Sequence, residues 1–109
     1  MQLHALDSAL YAAAVPSLAA LERVARRGIR SLVDNRETDA GSISFETIRT
    51  EAKRLGLHYA RVPLSSGESE GALDKLREVV ERLPRPLVMF SDTGVQSASA
   101  YIRSQREYA

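Results

Sequence analysis

Leu87-Val88-Met89-Phe90-Ser91-Asp92-Thr93-Gly94-Val95-Gln96-Ser97 is the stretch on which the fold turns. Its first four residues form the most continuously apolar run in the chain, as a strand buried on both faces of a parallel sheet requires. Ser91 to Ser97 reads as a connecting loop with a glycine at its middle, and a last helix is expected from about Ser97. A buried strand, a loop and a helix in that order make half of a βαβ unit.

The same alternation runs upstream. Tyr11 to Ala14 reads as a weak first strand ended by Pro16. Ser17 then caps a helix with Leu18, Leu21, Val24 and Ala25 on one face, closed after Arg26-Arg27 by Gly28. Ile29 to Val33 is a second strand, and Asp34 to Ser44 a polar loop. Ser44 caps a helix carrying Phe45, Ile48, Ala52 and Leu55, closed by Gly56. Leu57 to Val62 is a third strand stopped by Pro63, followed by a Ser/Gly-rich loop in which Ser69 is a candidate cap. The next helix has Leu73, Leu76, Val79, Val80 and Leu83 at helical spacing. Tyr101 and Ile102, on the last helix, are expected in the core. Four alternations imply one α/β domain over residues 1–109, with a mostly parallel sheet of four to five strands covered by helices.

Composition narrows the function classes. The 15 Lys and Arg nearly balance the 14 Asp and Glu, for a net charge of +1, so nothing argues for nucleic acid or an anionic membrane as partner. There is no cysteine, hence no disulfide, no thiolate metal site and no thiol nucleophile. His4 and His58 are the only histidines and lie far apart, so neither a metal site nor a cofactor is expected. No apolar run reaches 18 residues and no leader pattern opens the chain; a cytoplasmic protein is the expectation.

In open parallel sheets, ligands bind beyond the carboxyl ends of the strands. Gly94 permits a tight turn there, and the N–H groups of Ser91 to Ser97 could converge on an anion at the start of a helix. A plain strand-to-helix connection competes with this reading.

The run from Asn35-Arg36 through Gly56-Leu57-His58-Tyr59-Ala60-Arg61-Val62-Pro63-Leu64 to the loop resembles the beta-lactamase-hydrolase-like family of phosphatase-like domains, small relatives of the dual-specificity and tyrosine phosphatases. The resemblance spans about Ala5 to Ile102 and implies a tyrosine-phosphatase-like fold. It implies further that active members place a nucleophilic cysteine at Ser91 and a phosphate-clamping arginine at Gln96 or Ser97, with a general acid on another loop. This chain has a serine at the first position and no arginine at either of the others. A thiol ionises near pKa 8.5 or below, whereas a serine hydroxyl needs an adjacent base. A lost arginine is a lost bidentate clamp. Asp92 adds a charge of the wrong sign: about 5 Å from a bound anion, at a dielectric of roughly 20 to 40, it costs about 2–3 kcal/mol.

An engineered Cys-to-Ser change at position 91 would have left the arginine in place, so divergence of the whole loop is the preferred reading. By the same resemblance Asp39 or Glu37 could be the general acid, although solvated acids in a polar loop are the preferred reading, since without a nucleophile there is nothing to assist. Arg36 either faces the cleft with its charge or pairs with Asp34 or Glu37. Ser65 to Ser69 could form a rim of the cleft. Ser91, Asp39 and His58 have the residue types of a hydrolytic triad, but nothing in their spacing brings them together.

Two functions follow. One is a catalytically inactive binding or regulatory module that takes an anionic small ligand, a protein partner or a second copy of itself. The other is a hydrolase with residual or altered activity through Ser91 or a bound water.

Overall fold

A computed structural model describes residues 1–64 and 70–106; the expected Ser69 cap and the rim at Ser65 to Ser69 lie outside the described residues. The order of elements is β1 (His4–Asp7), β2 (Leu10–Ala14), α1 (Leu18–Arg26), β3 (Ser31–Asp34), α2 (Phe45–Arg54), β4 (His58–Arg61), α3 (Glu70–Arg82), β5 (Leu87–Ser91) and α4 (Val95–Arg106). The five strands form one sheet in the order β1-β2-β5-β3-β4. Only β1, at the edge, is antiparallel to its neighbour.

The apolar run is the central strand. Leu87 to Ser91 pair with Leu10 to Ala14 on one side, and Leu87 to Phe90 with Ser31 to Asp34 on the other. Every residue of β5 is buried, as a strand with helices on both faces must be. Alternate side chains serve different layers. Leu87 and Met89 join Leu73, Leu76, Val79 and Val80 of α3 and Ala100 and Tyr101 of α4. Val88 and Phe90 join Leu21 and Val24 of α1 and Ile48 and Ala52 of α2.

Two caps form as read. Ser17 Oγ accepts from the Ala20 N–H and Ser44 Oγ from the Thr47 N–H. Three expectations are corrected. The strand β1, unread in the sequence, adds a hairpin whose turn holds Ala9 at φ 55°. The last helix starts at Val95 rather than near Ser97, so only Asp92, Thr93 and Gly94 separate it from β5. Tyr101 is buried as expected and its hydroxyl donates to Asp7 at 2.9 Å, but Ile102 is 49% exposed, one position round the helix from the core stripe.

Candidate functional site

The parallel register brings the ends of β2, β5, β3 and β4 to one edge of the sheet: Ala14 lies opposite Ser91, and Phe90 opposite Asp34, which lies opposite Arg61. The helices following β2 and β3 pack on one face, those following β4 and β5 on the other. A crevice therefore opens at the end of β5, where neighbouring chains leave in opposite directions.

Ser91, the last residue of β5, is fully buried. Its Oγ accepts from the Ser97 N–H at 3.3 Å. Ser97, also fully buried, donates its hydroxyl to Asn35 Oδ1 at 2.7 Å, and Asn35 Nδ2 donates to the Val62 carbonyl at 2.9 Å. Thr93 Oγ1 accepts from the Val95 N–H at 3.3 Å, while Ala98 N–H reaches the Gly94 carbonyl in the first helical bond. Hydroxyls of the connection itself thus take two amides that open α4, the groups an anion would otherwise meet. Asp92, Thr93 and Val95 are exposed, Gln96 half-buried.

Gly94 is the fixed point of the connection. Its φ is 86°, and a Cβ there would lie 3.0 Å from the Ala13 carbonyl carbon and 3.1 Å from its oxygen. The glycine lets the α4 entrance lie directly on β2, against protein rather than ligand.

Across β3 lies a node of buried charge. Arg36 Nε and Nη2 donate to Asp34 Oδ1 and Oδ2 at 2.9 and 2.7 Å, and both side chains are completely buried. Arg36 Nη1 donates to the Ile43 carbonyl at 2.5 Å, and the guanidinium packs on the rings of Phe45 and Phe90. Burial lowers the Arg36 pKa, but its hydrogen bonds and charge pairing with Asp34 outweigh this and hold it above the ordinary arginine value. Tyr59 donates its hydroxyl to Asp34 Oδ2 at 2.7 Å. Burial first, then that bond, pushes the phenol well above its usual pKa. Arg61 lies over Phe45 at 3.5 Å from the ring centroid and donates to the Arg36 carbonyl at 3.3 Å.

Of the two readings left open for Arg36, then, the structure has the pairing with Asp34. Glu37 is exposed. Asp39 Oδ2 accepts from the Phe45 N–H at 2.9 Å and so helps to start α2. His58 begins β4 at the opposite edge of the sheet, four residues along from the level of Ser91, or about 13 Å in the strand direction alone. Ser91, Asp39 and His58 are not brought together as a triad. Among the described residues no group of three or more His, Asp or Glu side chains converges in a metal-binding arrangement, and no helix is long and apolar enough to cross a membrane.

His4 and Ser17 were not singled out for the site by the sequence. His4 stands on β1 against the outer side of the loop, where with Thr93 it lines a cavity of about 460 Å³ with Ala14, Pro16 and Ser17 and a second of about 210 Å³ with Ala12, Val95 and Ala98. Since β1 itself was illegible, no signal could have placed His4 there.

This arrangement of a five-stranded, mostly parallel sheet, two helical layers and a glycine-bearing connection from central strand to last helix is the phosphatase-like fold. No family model and no curated protein sequence matches the chain. Among solved structures, it is similar to a Neisseria meningitidis protein assigned to the phosphatases, with a TM-score of 0.83 at 19% identity, over 96% of this chain and 78% of that one. A Shewanella putrefaciens DUF442 protein, assigned likewise, gives 0.81 at 8% identity over 97% and 68%. The core catalytic domain of the PP-IP phosphatase SIW14 from S. cerevisiae, solved with citrate, gives 0.69 at 15% identity over 84% and 56%. At these identities the likeness carries the fold, and function rests on the site.

Proposed function

We propose that this domain is a degenerate member of the phosphatase-like superfamily, a cytoplasmic binding or regulatory module that does not cleave phosphate esters. The observation that carries the reading is the state of Ser91: fully buried, with its Oγ already accepting the Ser97 N–H at 3.3 Å. A hydroxyl so placed is neither presented to a substrate nor within reach of a described imidazole that could deprotonate it. The rest of the electrostatics agrees. Arg36 is neutralised by Asp34, Gln96 supplies no charge, and Asp92 is exposed beside the entrance.

The test is turnover of an aryl phosphate by the purified protein and by Ser91→Ala. We expect both to match buffer. Turnover well above buffer that the substitution abolishes would establish a hydrolase working through Ser91 and overturn the binding reading.

A further inference from the structure

The cavities beside the loop have a chemistry of their own. The larger, about 460 Å³, is lined by Gln2, His4, Pro16, Ser17 and Thr93 among others, and no carboxylate of the described residues lines it. Asp92 borders neither cavity. Ser17 and Thr93 are the two hydroxyls on its wall, and both oxygens are engaged as acceptors: Ser17 Oγ from the Ala20 N–H at 3.1 Å, Thr93 Oγ1 from the Val95 N–H at 3.3 Å. With the oxygen taken by a backbone donor, each hydroxyl keeps its proton to give. His4, exposed on β1, offers a ring N–H in either protonation state. The side-chain donors of His4, Ser17 and Thr93, with the Gln2 amide beside them, therefore line one space that no described carboxylate borders. The adjoining cavity of about 210 Å³ shares His4 and Thr93, and its other walls are Ala12, Gly94, Val95 and Ala98. Val95, 68% exposed, is an apolar side chain with no cover. A donor-lined cavity beside a mostly apolar one, with His4 and Thr93 common to both walls, has the composition of a small-ligand site.

We propose that this crevice, on the β1 side of the loop and not at Ser91, binds a small organic acid. Its acid oxygens accept from His4, Ser17 and Thr93, and its apolar body lies along Ala12, Val95 and Ala98. The inference rests on the reading of the domain as a binding module and gives that reading a place and a ligand class. It requires no bond to be made or broken.

The experiment is an NMR titration of the full chain with three probes: benzoate, benzyl alcohol and inorganic phosphate. Benzoate should shift the His4 imidazole signals and the amides of Thr93, Val95 and Ala98 saturably. The His58 imidazole, at the far edge of the sheet, should stay still. Benzyl alcohol has the body without the acid and phosphate the acid without the body; each should bind at least about fivefold more weakly than benzoate, as the loss of one hydrogen bond or one apolar contact implies. His4→Ala and Thr93→Val should each weaken benzoate by about fivefold or more. Both lie on exposed positions, and the chemical-shift pattern of the free protein reports whether each variant is folded. Shifts that do not saturate, equal shifts of His4 and His58, or equal affinity for benzyl alcohol would overturn the proposal. Because the readout is binding, its failure is distinct from failure of the aryl phosphate test, which reads turnover.

Discussion

Two regions share the carboxyl edge of the sheet and use their polar residues in opposite ways. At the ends of β3 and β4, Asp34, Arg36, Tyr59 and Arg61 form a dense node in which Asp34 holds both an arginine fork and a phenol. At the end of β5, one strand away, the connection to α4 contains no cation, and its hydroxyls cap the helix that follows. The first region holds an arginine that does not meet solvent, and the second has a glycine turn with no cation on it. A cation already saturated by a carboxylate, a carbonyl and two rings has little left to attract an anion. Arg36 is thus held by the fold itself, so its loss should be felt in stability rather than in binding.

The comparison is hardest to survive at Arg36. Replacement by Met would keep much of the packing on Phe45 and Phe90 but leave the Asp34 carboxylate buried without its partner. Stripping one member from a buried pair costs about 3–5 kcal/mol, and urea unfolding of Arg36→Met should show a loss of that size. A loss below about 1 kcal/mol, typical of exposed pairs, would mean that the node opens to water and would return Arg36 to the cleft. Next in size is Gly94→Ala. At φ 86° and with Ala13 backbone atoms 3.0 and 3.1 Å from the new Cβ, both conformation and contact resist the methyl group. A strained residue of this kind costs roughly 1–3 kcal/mol, again read by unfolding. Wild-type stability in this variant would show that the α4 entrance is free to lift from β2.

How far each region was legible follows from the residues that build it. The central strand announces itself because Leu87 to Phe90 are buried from both sides and so are all apolar. Ser17 and Ser44 announce their helices because a capping hydroxyl has a fixed place in the pattern. The hairpin β1–β2 was hidden for two reasons. His4 to Asp7 is an edge strand with mostly exposed residues, and its turn uses Ala9 at positive φ where Asn or Gly would have signalled one. With β1 unread, the cavity at His4 had no wall. The start of α4 was misplaced because Val95 and Gln96 carry no cap signature of their own; the capping hydroxyls come from Thr93 and from Ser91, six residues before the amide it serves. The pairing of Asp34 with Arg36 was a possibility from spacing alone. What decided it was Tyr59 and Phe45, brought in from other elements.

Ser91 gives a smaller effect that bears on both regions. If its hydroxyl serves only the α4 entrance, Ser91→Ala should lower stability by about 1 kcal/mol, the usual worth of one such bond. The size matters less than the contrast: the same position would be indispensable in a hydrolase and is here of the order of an ordinary cap.

The smallest effect at neutral pH is expected at Tyr59. In Tyr59→Phe, Asp34 Oδ2 still accepts from Arg36 Nη2 at 2.7 Å, so the loss should be about 1 kcal/mol or less. Its pH dependence is more telling. Burial, the hydrogen bond to Asp34 and the Asp34 charge raise the Tyr59 pKa, against a smaller opposing pull from Arg36 and Arg61. The folded protein therefore holds the phenolic proton at pH values where the unfolded chain, titrating near about 10, has released it. Stability from this residue is complete below about pH 10 and declines as pH rises above it. The difference in unfolding free energy between wild type and Tyr59→Phe should accordingly be constant up to about pH 9.5 and narrow, then reverse, in more alkaline buffer. Every other titratable group is present in both proteins, so its contribution cancels in the difference. A difference that stays flat to pH 11.5 would mean that the phenol titrates alike in the folded and unfolded chains. Asp34 would then be engaged by Arg36 alone, and the node would be a simple ion pair whose arginine fork has no second anchor on β4.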